Sequence, residues 1–87
     1  MTESVKVQLR FITCTLAEAV EELNIQLETA MLPTITEDNL VSQEKQPHAE
    51  DWFDDYLFIF ETTFNEAKDD IVDKMKNCMI DYDIITN

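Results

Sequence analysis

The chain has 87 residues, 45% of them hydrophobic, and its 19 acidic and 6 basic side chains give a formal net charge of −13 at pH 7. This length predicts one small domain over residues 1–87 with a single modest core, and the hydrophobic fraction excludes global disorder. The charge excludes direct binding of nucleic acid, which depends on lysine and arginine, and the absence of glycine excludes glycine-rich nucleotide-binding loops.

The first element is a strand. Residues 5–11 alternate strictly between apolar and polar side chains, and the apolar members are β-branched, aliphatic or aromatic. A period of two with this composition predicts a half-buried β-strand over residues 5–13. The apolar members are Val5, Val7, Leu9 and Phe11, and they alternate with Lys6, Gln8 and Arg10.

A helix is predicted next. Thr15 stands three residues before Glu18, the spacing of a capping box, in which each side chain satisfies a backbone N–H at the start of a helix. Apolar residues then recur at helical spacing from Leu16 to Met31, and Pro33 is expected to end the helix.

The middle of the chain is the hardest part to interpret. Ile35, Leu40 and Val41 indicate a weak edge strand over residues 34–42. Ser42 to Asp51 is polar and contains a proline, which predicts a loop.

The second half repeats the pattern of the first. Residues 55–62 are predicted to form a strand that is apolar on both faces, so we expect it to lie inside a sheet. Thr63 and Glu66 form a second capping box before another amphipathic stripe. A last strand is predicted over residues 80–86, where Ile80, Tyr82 and Ile84 alternate with Asp81 and Asp83.

An offset of 48 residues aligns the two capping boxes, and it also aligns Leu9 with Leu57. The order β-α-(β)-β-α-β resembles the ferredoxin-like fold, in which two helices cover one face of a four-stranded antiparallel sheet. The resemblance implies that strands 5–13 and 55–62 are central and that strand 80–86 flanks strand 5–13. Asp81 and Asp83 would then lie opposite the row containing Lys6 and Arg10.

An all-α helical hairpin is the alternative. Apolar residues also follow a 4-3 spacing along two stripes, from Val5 to Ala30 and from Phe53 to Cys78. The hairpin leaves four apolar side chains off its stripes, whereas strands account for all of them, so the strands are favoured. These four are Val7, Phe11, Phe58 and Ile59.

The repeat predicts that Tyr56, Phe58 and Phe60 lie on the open face of the sheet. Stacking of RNA bases on these aromatic residues is opposed by the negative charge. We therefore expect a protein–protein contact there, most simply a homodimer that buries the aromatic row of each copy. Alternatively, a loop or segment 42–51 covers this face within the monomer.

Two acidic features are candidate sites for a basic protein partner. The first is the run that contains Asp51, Trp52, Asp54, Asp55 and Tyr56, where carboxylates flank residues that are favoured in binding hot spots. Alternatively, these acids only protect the entry to a strand against aggregation.

The second acidic feature is the outward face predicted for the first helix, with Glu18, Glu21 and Glu22. Arrays of carboxylates on a small rigid domain can imitate the charge of a nucleic-acid backbone. In size and charge the chain is similar to small inhibitors from phages and mobile elements that act in this way. Alternatively, the array is a solvated helix face that only keeps the protein in solution.

No catalytic, cofactor or metal motif is found in the sequence. The single histidine falls in a predicted loop, and two cysteines with one histidine give no zinc spacing. No signal peptide and no apolar run long enough to span a membrane are present, and two cysteines make no disulfide framework, so a cytoplasmic location is expected.

The sequence therefore predicts a non-enzymatic, acidic, cytoplasmic module that binds a basic protein partner, in its sharpest form a nucleic-acid mimic that inhibits a nucleic-acid-handling protein. Two alternatives stay open. One is a structural or assembly subunit that acts through self-association, and the other is a small regulatory domain that binds a metabolite between subunits.

Overall fold

The computed structural model describes residues 4–46 and 55–85. The elements in chain order are β1 (Val5–Thr13), α1 (Leu16–Thr29), a 3-10 turn (Glu37–Asn39), β2 (Leu40–Lys45), β3 (Tyr56–Phe64), α2 (Lys68–Met75) and β4 (Asp81–Ile85). The strands form one antiparallel sheet in the order β2-β3-β1-β4, with the two helices packed on one side. This is the α+β, ferredoxin-like arrangement that the sequence predicts, and the all-α alternative is wrong.

Strand β1 lies at the centre of the sheet, as predicted. It pairs with β3 along its whole length, from Val5 opposite Phe64 to Thr13 opposite Tyr56, and with β4 on its other side. Directly opposed residues of an antiparallel pair point to the same face. The register therefore fixes which side chains share the helix-covered face and which share the open face.

The core lies between the sheet and the helices. Its fully buried side chains come from alternate positions of β1 and β3 and from one stripe of each helix. Each large side chain buried in this way contributes about 1.5–3 kcal/mol relative to an exposed one. The largest are Phe58, Phe60, Phe64, Leu9, Leu23, Leu27, Ile71, Met75 and Val7.

Helix α1 begins at the predicted cap. The Thr15 hydroxyl accepts a hydrogen bond from the Glu18 backbone N–H at 3.2 Å. The Glu18 carboxylate does not complete the capping box, because it accepts instead from the Thr13 hydroxyl at 2.8 Å. This second bond fixes the helix start to the end of β1.

Helix α1 ends in a Schellman motif, before it reaches Pro33. Met31 has a left-handed backbone with φ of 62°. Its N–H donates to Glu28 O at 3.0 Å, and the Leu32 N–H donates to Leu27 O at 2.8 Å. Leu32 and Leu27 are both buried in the core cluster, and apolar residues are common at these two positions of the motif.

The second capping box predicted from the repeat is wrong. Thr63 lies inside β3, and the residue that precedes α2 is Ala67, whose side chain makes no capping hydrogen bond. The sequence prediction aligned the two strands at an offset of 48 residues. In the structure the buried positions of β1 and β3 correspond at an offset of 51, so that Val7 corresponds to Phe58. The two offsets differ by an odd number, and an odd shift moves every side chain of a strand to the other face.

The face prediction for β3 is therefore also wrong. Phe58 and Phe60 point towards the helices and are 1% and 0% exposed. Leu57 and Ile59 lie on the open side, where they are opposed by Ile12 and Arg10 of β1.

Strand β2 starts later than predicted and includes residues that were assigned to a loop. Its register with β3 shifts between Leu40 and Ser42. The segment before it is held by α1 instead of the sheet. The Asn24 side chain accepts from the Ile35 N–H at 2.7 Å and donates to Ile35 O at 2.9 Å. These two bonds replace the strand pairing expected for residue 35.

Within residues 4–46 and 55–85, neither helix has the length and apolar composition needed to cross a bilayer.

Candidate protein-binding surfaces

The outward face of α1 carries four carboxylates around one exposed isoleucine. Burial of Ala19, Leu23 and Leu27 turns the opposite side of the helix to solvent. At 100° per residue, Ile25 lies near the middle of that side, and the four glutamates fall within about 60° of it. We call this the α1 acidic face, and it consists of Glu18, Glu21, Glu22, Ile25 and Glu28.

No base of residues 4–46 and 55–85 compensates the charge of the α1 acidic face. Its four glutamates are exposed, and within the described ranges none of them forms an ion pair with a base. The ion pairs that the structure does show lie elsewhere. Lys6 is 3.9 Å from Glu61, Arg10 contacts the β4 carboxylates, and Lys74 pairs with Glu66.

Ile25 is the residue of this face that the sequence analysis did not select. Its side chain is 49% exposed and lies among carboxylates at the surface. Exposure of apolar surface to water is unfavourable, so this position does not contribute to the stability of the isolated domain. Helical spacing alone could have found it, because it falls on the same stripe as the glutamates.

The acidic-aromatic run is only partly described. Asp51, Trp52 and Asp54 lie outside the described residues. Asp55 is half-buried beside the sheet, where its backbone O accepts from the Gln46 N–H at 2.8 Å and its Oδ1 lies 3.4 Å from the Cys14 thiol.

Of the three aromatic residues predicted to form an interface, only Tyr56 retains solvent exposure. It is half-buried, on the side of the sheet that faces the helices, with its ring centroid 6.0 Å from that of Phe58. Phe58 and Phe60 are core residues and cannot contact a partner while the domain is folded. Their selection as partner-binding residues is wrong, because the repeat placed β3 in the wrong phase.

Among residues 4–46 and 55–85, no helix lies on the other side of the sheet. The central residues of this side are Lys6, Gln8, Arg10 and Ile12 of β1, Leu57, Ile59 and Glu61 of β3, and Asp81, Asp83 and Ile85 of β4. We call this the open sheet face. Its largest exposed apolar side chain is Ile12, at 54% exposure.

Neighbouring carboxylates pair with both bases of the open sheet face. Arg10 contacts Asp81 and Asp83, as the fold resemblance implied, whereas Lys6 lies opposite Ile85 of β4 and pairs with Glu61 of β3. The Arg10 Nε and Nη2 donate to Asp81 at 3.2 and 3.1 Å, and its Nη1 lies 2.6 Å from Asp83 Oδ2. The hydrogen bond to Asp81 is the main cause that raises the pKa of Arg10 above its usual value. The guanidinium therefore stays charged, and this face is far closer to neutral than α1.

The described residues offer little for chemistry at a metal or a nucleophile. Within 4–46 and 55–85, no three His, Cys, Asp or Glu side chains are grouped to hold a metal ion. Within the same ranges Cys14 and Cys78 are not joined by a disulfide, and the Cys78 Sγ lies 3.5 Å from the Gln26 carbonyl. The chain matches no family model, no curated protein and no solved structure.

Proposed function

We propose that this protein is a non-enzymatic acidic module that docks its α1 acidic face on a basic surface of another protein. One helix face combines four carboxylates, which have no base partner among the described residues, with an exposed Ile25 between them. This combination is the observation that carries the proposal. Binding would bury the isoleucine and pair the carboxylates with lysine or arginine.

An apolar centre with a charged rim is the usual anatomy of a protein interface. The centre supplies most of the binding free energy once water is excluded, whereas the rim gives orientation and speeds the encounter. Carboxylates that served solubility alone would not require an apolar residue at their centre. This contrast supports docking over a purely solvated face.

The sharpest form of the proposal is that the partner handles nucleic acid. Its basic surface would accept the row of glutamates in place of phosphates, and the chain would inhibit it by occupying that surface. Helix α1 suits such a role because the Thr15 cap and the Schellman motif fix its two ends. A cytoplasmic location fits two cysteines that the described residues do not join in a disulfide, since disulfides are rare in reducing compartments.

The test begins with capture of partners from a cell extract at low and at high salt, followed by binding kinetics with the purified partner. Replacement of Glu18, Glu21 and Glu22 by glutamine removes three charges and preserves helix propensity. We expect the association rate to fall by about tenfold or more, with a weaker dependence on salt, because rim charges act mainly on encounter.

The matched control removes three charges from the other helix, at Asp69, Asp70 and Asp73, by replacement with asparagine. These residues are also exposed, and we expect them to change the association rate much less. Ile25→Ser should act differently and speed dissociation, with a loss of more than about 1 kcal/mol of binding free energy. Equal effects of the two charge triplets would mean that only net charge matters, and would refute α1 as the docking site.

A further inference from the structure

The open sheet face contains a small apolar cluster at one end. Ile12 lies opposite Leu57 across the β1–β3 pair, and Ile59 is the next residue of β3 on the same side. Leu57 and Ile59 are half-buried and Ile12 is mostly exposed. In the part of the chain that the structure describes, no helix covers these three side chains, because α1 and α2 pack on the other side.

The charges around this cluster distinguish it from α1. The open sheet face, counted with Glu44 on the same side of the neighbouring strand β2, holds two bases against four carboxylates, and both bases are paired with carboxylates of this face. These six residues are Lys6, Arg10, Glu44, Glu61, Asp81 and Asp83. The α1 acidic face, in contrast, holds four carboxylates and no base.

The occupant that fits such a face is a second copy of this chain. Two molecules of net charge −13 repel each other, so close approach favours the surface with the smaller excess of negative charge. The open sheet face with Glu44 has two carboxylates more than bases, whereas the α1 acidic face has four. A basic partner is drawn to the uncompensated acids of α1 instead. A two-fold contact brings the same patch together with itself, so Ile12, Leu57 and Ile59 of each copy would cover those of the other.

We infer that the protein forms a homodimer through the open sheet face, centred on Ile12, Leu57 and Ile59. This face is on the opposite side of the domain from the α1 acidic face. Each dimer would therefore present two acidic helices outward, and self-association would not compete with binding of a basic partner.

Sedimentation equilibrium of the wild-type chain and of Ile12→Glu tests this inference. We expect the wild type to dimerise and Ile12→Glu to raise the dimer dissociation constant by about tenfold or more, because two-fold symmetry places the change in the interface twice. Ile12→Lys should also raise the dimer dissociation constant. Because the two variants add opposite charges, a shared effect would come from loss of the apolar contact and not from added negative charge.

Ile25→Glu is the matched control, since it makes the same chemical change at a similarly exposed isoleucine on the other side of the domain. It should leave the dimer intact. Thermal melts of all variants establish that each is folded.

The salt dependence separates this inference from the docking proposal. Added salt screens the repulsion between copies and should strengthen the dimer, whereas it should weaken docking of a basic partner through α1. A wild-type chain that stays monomeric at high micromolar concentration would overturn the inference. A monomer that Ile12→Glu destabilises would also overturn it, since residues of the same chain would then cover the cluster. A dimer lost in Ile25→Glu and kept in Ile12→Glu would move the interface to α1.

Discussion

Replacement of Met31 by glycine should stabilise this protein. Met31 occupies the left-handed position of the Schellman motif, with φ of 62°, and among the described residues it is the one non-glycine residue with positive φ. Left-handed backbone costs a residue with a Cβ about 1–2 kcal/mol, whereas glycine adopts it without a clash. The chain contains no glycine, so this cost has not been relieved here.

The expected gain follows from three contributions. Removal of the Cβ relieves the left-handed strain of the folded state. Glycine also has more conformational freedom in the unfolded chain, which lowers the free energy of unfolding by about 0.4–1 kcal/mol. Loss of packing is small, because the Met31 side chain is 82% exposed. The net expectation is a gain of about 0.5–1 kcal/mol, which raises the melting temperature of a domain of this size by about 2–8 °C.

Urea denaturation followed by far-UV circular dichroism measures the effect, with the midpoint compared at constant m-value. Met79→Gly is the matched control, since Met79 is 91% exposed and does not have positive φ. It should lose about 0.4–1 kcal/mol through the unfolded chain alone. Met31→Ala should be nearly neutral, because alanine keeps the Cβ. If Met31→Gly and Met79→Gly shift stability equally, the strain argument is wrong.

Two further predictions concern the core and the connection to β2. Asn24→Ala should lower the free energy of unfolding in urea denaturation by about 1–3 kcal/mol, because it leaves the partly buried Ile35 N–H and carbonyl without their partner. If Asn24→Ala costs less than Asn24→Gln, the two hydrogen bonds from Asn24 to Ile35 do not have this role. Phe58→Ala should cost about 3–5 kcal/mol, as expected for a phenylalanine that is 1% exposed. Phe58→Glu should therefore unfold the domain, and a folded monomeric Phe58→Glu would show instead that this ring lies at an interface.

The sequence predicted the elements that have a clear period. Strand β1 alternates strictly, so its bounds and its faces could be derived from residues 5–11. Helix α1 has a cap and a regular stripe, and the exposed position of Glu18, Glu21 and Glu22 was predicted for the same reason. Whether a partner binds there stays a prediction.

The faces of β3 could not be derived in this way. The run from Tyr56 to Phe60 is apolar on both sides, so no period shows which residues point to the core. The repeat supplied a phase, and that phase was wrong because the buried positions of β3 correspond to those of β1 at an offset of 51, whereas the prediction used 48. Only the pairing of β3 with β1 determines the face of Phe58, and that pairing is a property of the folded chain.

The bounds of strand β2 were predicted wrongly for a different reason. Ser42 to Lys45 is polar, and such residues form a strand here because one edge of β3 offers them hydrogen-bond partners. Ile35 is apolar and was predicted to belong to this strand, but its backbone N–H and carbonyl are hydrogen-bonded to the Asn24 side chain instead. In each case a contact distant in sequence decided the local structure.

The central position of β1 has a consequence for synthesis of the chain. This strand leaves the ribosome before either of its neighbours, and it stays unpaired until β3 and then β4 have been made. During that interval its apolar residues, including Val7 and Leu9, have no core to enter, and an unpaired apolar strand invites pairing with other chains. Lys6, Gln8 and Arg10 interrupt the apolar sequence at every second residue, which lowers that hazard. The alternation that later separates the two faces of the sheet therefore also protects the nascent chain before any sheet exists.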